Sequence, residues 1–187
     1  MAEETKSEVR TPETMHREAG RDDTKRSVKE GIGYGLIAGV IFAVVSMLAS
    51  AAMGQPALSP FRMYASVIFG AGALEFTAGT ALVAGGITHL LLSAVFGVIY
   101  GLIMAAFPLG THTSFGSQSG FGLLFGAALW LVNFQIIARI GYPWFLDANQ
   151  LLQLVLHAVF FGLPLGLMYA ASERRALLRP QAAPEPA

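Results

Sequence analysis

The chain is polar and mixed in sign as far as Lys29, and apolar positions then run almost unbroken from Gly31 to Met53. Such a run matches the roughly 20 residues needed to cross about 30 Å of hydrocarbon. Three more stretches of the same kind follow, at about 82–106, 120–140 and 148–171, separated by segments rich in Pro, Gly, Ser and Thr. The pattern predicts an all-α polytopic membrane protein with four transmembrane helices in a compact glycine-rich bundle. Residues 30–172 form the transmembrane domain, 1–29 a polar flexible cytoplasmic tail, and 173–187 a short second cytoplasmic tail.

Residues 61–78 are also apolar, but they contain Glu75 and abut the next run almost without a loop. They predict an extra helix between spans 1 and 2, interfacial or re-entrant, broken around Gly70, Gly72 and Gly79. An unpaired carboxylate in lipid is too costly, so Glu75 belongs at a wet or protein-lined face.

Composition agrees with the pattern, since 54% hydrophobic and 13% charged residues in a chain of 187 is not the balance of a soluble protein. The net charge is zero, which leaves no basic face for nucleic acid. The first apolar run begins too late for a secretory signal peptide, so the polar N-terminal segment is expected to be retained. Zero cysteines exclude disulfides, iron–sulfur ligation and thiol catalysis. Walker, HExxH and paired intramembrane carboxylate patterns are absent from the sequence, and no catalytic residues are assigned.

Lys and Arg fix the expected orientation. Seven precede span 1 and three follow span 4, whereas the two loops on the opposite side carry only Arg62 and Arg139. By the positive-inside rule both termini are cytoplasmic, as in a bacterial inner-membrane protein.

Glycines spaced by four recur in every span: Gly31, Gly35 and Gly39; Gly97 and Gly101; Gly122 and Gly126; Gly162 and Gly166. Removing Cβ at i and i+4 opens a groove that lets backbones approach where lipid supplies no hydrophobic drive. Pro164, lying between the last pair, frees a carbonyl and is expected to bend span 4. The stretches "FGVIYGL" and "FGLPLGL" lie in spans that run in the same direction, consistent with a parallel repeat of a two-span hairpin.

His89 and His157 are the candidate cofactor ligands. They enter from the non-cytoplasmic side at roughly 6 and 10 Å depth, taking 1.5 Å per residue, which permits one shared site for haem b or a pigment. Structural hydrogen bonding, with Ser93, Asn133 or Gln135 as partners, is the alternative use of the imidazoles. Asn133 and Gln135 lie two apart and point in different directions. Arg139, followed by Tyr142, Trp144 and Phe145, reads as a membrane-edge anchor or lipid-headgroup site, with Asp147 near enough to neutralise it.

Three functions follow. The first is a non-catalytic accessory or scaffold subunit of a larger membrane complex, such as a respiratory or photosynthetic assembly. It would pack on other integral subunits and lipids through its glycine faces and dock cytoplasmic partners through residues 1–29. The second is an electron-transfer protein with haem or pigment at His89 and His157. The third is a small-solute transporter or channel with Glu75, Asn133, Gln135 and Arg139 along its path. The orientation is directly testable because the chain has no native thiol. Single cysteines at Ser7→Cys and Ala183→Cys are expected to react with an impermeant maleimide only in inverted vesicles, and Gln55→Cys only in right-side-out ones.

Overall fold

The computed structural model describes residues 12–107 and 113–178, with side chains from Thr24 onwards. Among the described residues four helices are long and apolar enough to cross a membrane. Helix α1 is Pro12–Ala52, its apolar part Thr24–Ala52; α3 is Ala78–Ala105, α4 Phe115–Gly141 and α5 Gln150–Arg175. The extra helix α2, Ser59–Phe69, lies between the first two. The chain is an all-α polytopic membrane bundle.

Local chemistry sets the helix starts and explains the differences from the expected bounds. Thr77 accepts from Thr80 N at 3.3 Å, Ser114 from Ser117 N at 3.3 Å and Asn149 from Leu152 N at 3.0 Å. These N-caps satisfy free amides and so place the starts at Ala78, Phe115 and Gln150 instead of 82, 120 and 148. The segment expected to be a flexible tail over 1–29 is helical from Pro12, continuous with the first span. Once the apolar span supplies a helical nucleus, adding a polar residue costs little, and the Arg26–Glu30 pair at 3.0 Å supports the last turn before the span. Residues 1–11, 108–112 and 179–187 lie outside the described residues, and with them part of the docking tail, the centre of the loop between spans 2 and 3, and the end of the C-terminal tail.

At 11 residues, α2 rises roughly 16 Å, too short to cross the hydrocarbon core. Its close neighbour is α3, where the Phe61 backbone lies directly on Gly85. The chain then turns at Gly70, whose φ of 70° suits a residue without Cβ, and passes through a short 3₁₀ turn, Ala71–Glu75.

The bundle is built from two antiparallel pairs, α1 with α3 and α4 with α5, joined along α1 and α5. Every glycine of the four-residue series sits in one of these seams. A Cβ at Gly97 would strike the Gly31 carbonyl and come within 2.7 Å of Gly35 Cα, and one at Gly39 would lie 2.6 Å from Ser93 Cβ. In the second pair Gly122 and Gly162 face each other's carbonyls, Gly126 lies 2.7 Å from Ala158 Cα on the same test, and Gly166 meets the Gln118 carbonyl. Gly101 faces the Ser27 carbonyl and the Tyr169 ring. The two Phe-Gly motifs therefore do the same job in the two hairpins, and their rings, Phe96 and Phe161, meet edge-on at 6.4 Å.

The remaining side, between α3 and α4, is closed by large side chains. Tyr100 donates to Gln118 Oε1 at 2.6 Å and packs on Phe125 at 5.2 Å, while Phe107 meets Phe121 at 5.2 Å. These contacts lie toward the end of the bundle where the apolar part of α1 begins and α5 ends, and there Arg26 also reaches Glu173 at 3.0 Å and Tyr169 donates to the Ser27 carbonyl. Only 22–28% of the most apolar 18-residue window of each span is fully buried inside the chain, so each span keeps an outward apolar surface.

Backbone carbonyls cannot move aside as a flexible side chain can, so Gly97→Val is expected to destabilise the bundle by about 1–3 kcal/mol. Gly33→Val, at a position with open space beyond its Cα, serves as the control and should leave the unfolding midpoint in mild detergent nearly unchanged.

Candidate functional site

Away from the Tyr100–Gln118 closure, α3 and α4 enclose a cavity of about 360 Å³. Phe42 of α1 and Phe161 of α5 form part of its wall, and Tyr64 of α2 and Phe145 of the α4–α5 turn also line it. Both candidate histidines reach it, together with Asn133 and Gln153. Among the described residues no Asp, Glu, Lys or Arg lines it. Its volume falls within the roughly 300–1,000 Å³ of small-molecule pockets, and a mostly apolar wall with a few polar groups is their usual chemistry.

Two departures from regular helix border this cavity. In α4 the hydrogen-bond ladder widens to i→i+5 over Leu131–Ile137, and in α5 over Leu156–Gly162. Asn133, Phe134 and Ile137 of the first stretch and His157 and Phe161 of the second all face the cavity. Pro164, which lacks an N–H to bond the Phe160 carbonyl, follows directly on the second stretch. The proline expected to bend span 4 is thus accompanied by a local widening of the helix. No feature of the sequence alone announced the π stretch in α4.

Each imidazole is held by a backbone carbonyl. His89 donates through Nε2 to the Gly39 carbonyl at 2.9 Å, across the glycine seam, and His157 donates through Nδ1 to the Gln153 carbonyl at 2.7 Å. A carbonyl can only accept, so it fixes the tautomer, and each neutral ring keeps its other nitrogen as an acceptor. The partners are therefore carbonyls and not the Ser93, Asn133 or Gln135 side chains; Ser93 donates to the His89 main chain at 2.7 Å. Phe42 packs against both imidazoles, at centroid distances of 5.3 Å to His89 and 4.9 Å to His157. Tyr64 stacks on the His89 ring at 4.4 Å with planes 21° apart.

The polar residues of span 3 separate. Asn133 lines the cavity, whereas Gln135 donates to Gln150 Oε1 at 3.1 Å and accepts from Arg139 at 2.9 Å. Gln150 in turn donates to the carbonyls of Phe145, Leu146 and Ala148, so the cluster braces the α4–α5 turn. Arg139 bonds Gln135 in place of the expected Asp147, and both Arg139 and Asp147 are exposed. Glu75 is exposed as well and does not line this cavity.

The aromatic residues after Arg139 dock onto α2. Trp144 Nε1 donates to Ser66 Oγ at 2.8 Å and Tyr142 to the Val67 carbonyl at 3.2 Å, which pins α2 over the cavity. Among the described residues no three His, Asp or Glu side chains come together as a metal site. The sequence pointed to His89, His157 and Asn133; it missed Phe42, Tyr64 and Gln153, whose signal was only membership of apolar helices. Trp144→Phe, which keeps a ring but deletes the donor, should raise amide exchange across 59–69 several-fold and leave α1–α3 amides unchanged, as read by hydrogen-exchange mass spectrometry. Comparison of the chain with protein-family models, curated proteins and solved structures returns no match.

Proposed function

We propose that this protein binds a small, neutral, largely apolar molecule in the cavity between α3 and α4. The observation that carries this reading is the cavity itself: about 360 Å³, walled by Phe and Tyr rings, supplied with imidazole and carboxamide groups, and lined by no charged side chain among the described residues. An ionic ligand would meet no counter-charge in a low-dielectric setting, whereas a neutral one leaves nothing unpaired. The paired π stretches beside it support the same reading, because such widenings concentrate at functional sites.

The other expectations fare differently against these observations. Scaffolding through glycine faces loses its support, since those faces are filled within the chain; an accessory role would rest on the lipid-facing exterior and the polar start of α1. A solute path through Glu75 and Arg139 finds both residues on the surface, away from the cavity. Haem held by both histidines would need the space that Phe42 occupies against each ring. The reading we favour keeps His89 and His157 as neutral hydrogen-bonding walls beside the ligand.

Extraction of the gently purified protein should release one neutral compound in near-stoichiometric amount, identified by mass spectrometry. The cavity-filling variants Val67→Trp and Ile137→Trp should lose it while keeping the helix content of the wild type. If wild type and filled variants carry the same unselective mixture of membrane lipids, the reading is wrong.

A further inference from the structure

A second, smaller cavity of about 190 Å³ adjoins the first, lined by Ser46 and Ser50 of α1, Ser59 of α2 and Asn149 at the start of α5. Met63, Tyr64 and Gln153 line both cavities and therefore stand at their junction. The smaller chamber is the more polar in its side chains, the larger one the more aromatic. A molecule placed across the junction would have its polar end toward the serines and its apolar body among the rings.

Tyr64 is the informative residue at this junction. Its ring is fixed from three sides, stacked on His89 at 4.4 Å and packed on Phe61 at 5.4 Å and Phe42 at 6.4 Å. Its hydroxyl is buried and has no hydrogen-bond partner among the described residues, a condition it shares with the Trp130 indole N–H alone. Ser46 lies beside it, and its own hydroxyl donates to the Phe42 carbonyl at 2.8 Å. A buried hydroxyl without a partner is costly, so a group fixed in this way where two cavities meet is poised for a partner supplied by a bound molecule.

Resting on the binding reading of the α3–α4 cavity, we propose that Tyr64 anchors the ligand by donating to a carbonyl oxygen, and that the ligand is a neutral carbonyl-bearing apolar molecule of the ketone or quinone type. A phenol is a better donor than acceptor because its oxygen lone pair is drawn into the ring, so the missing partner is an acceptor. Gln153, at the same junction on α5, carries a carboxamide N–H that can serve the same oxygen. Among the described residues no Asp, Glu, Lys or Arg stands in either lining, so a carboxylate acceptor would lack a counter-charge there. The hydrocarbon remainder lies against Phe42, Phe134 and Phe161, where ring faces and edges receive a planar group.

The full chain in mild detergent is titrated calorimetrically with a short-chain alkyl benzoquinone and with the alkylbenzene of matched size. The wild type should bind both, the benzoquinone more tightly. Tyr64→Phe keeps the stacked ring and removes only the hydroxyl, and it should weaken the benzoquinone about tenfold while leaving the alkylbenzene within about twofold. Gln153→Leu should act in the same direction and provides a second reading independent of the α2 ring cluster. If both probes bind the wild type and both variants leave both affinities unchanged, the carbonyl anchor is refuted and the binding site stands. If neither probe binds the wild type, the binding-site reading is itself overturned and the anchor with it.

Discussion

Backbone-to-backbone contact at glycine is the constraint on which the rest of this bundle depends. In lipid an apolar side chain gains little by leaving one apolar surface for another, so helices associate through close packing and hydrogen bonds. Here Gly31, Gly35 and Gly39 meet Ser93 and Gly97, while Gly122 and Gly126 meet Gly162 and the main chain at His157 and Ala158. The seams leave no room for a single extra methyl. They fix α1 on α3 and α4 on α5, and through these pairs they fix where every other side chain can go.

The cavity follows from that arrangement. Small residues draw two hairpins tight, and the large residues that remain on the α3–α4 side must separate the two helices. Toward the end where α5 finishes the gap is filled by Tyr100, Gln118, Phe107 and Phe121. Toward α2 the filling is incomplete, because the π stretches of α4 and α5 carry Phe134, Ile137, His157 and Phe161 to the walls and leave space between them. The tyrosine and tryptophan after Arg139 hold α2 across this space, so an element too short to span the membrane becomes part of the site.

Hydrogen bonding explains why the histidines sit where they do. His89 spends its N–H on the Gly39 carbonyl, a group within reach only because Gly39 lets α3 come close. His157 spends its N–H on Gln153 one turn before it in its own helix. The seam that stabilises the first hairpin thus also orients one wall of the cavity, and a change in helix spacing would be felt at the imidazole.

Much of the architecture was legible from residue order. Apolar runs near 20 residues long can be satisfied only by helices that cross, Glu75 and the glycines marked the broken segment between spans 1 and 2, and spacing by four marked the glycine faces. Those signals are local and repeat with the helical period. What the sequence could not decide was which faces meet: the glycines serve intramolecular seams and leave none of their series for a partner, and Arg139 turns to Gln135 and not to Asp147. Nor could it show that Phe42, Tyr64, Asn133, Gln153 and both histidines converge, since they come from five helices and their separation along the chain carries no information about distance. The element type was set by hydropathy and period, which each segment holds by itself, and the site was set by helix spacing and rotation, which exist only once the two hairpins are packed together.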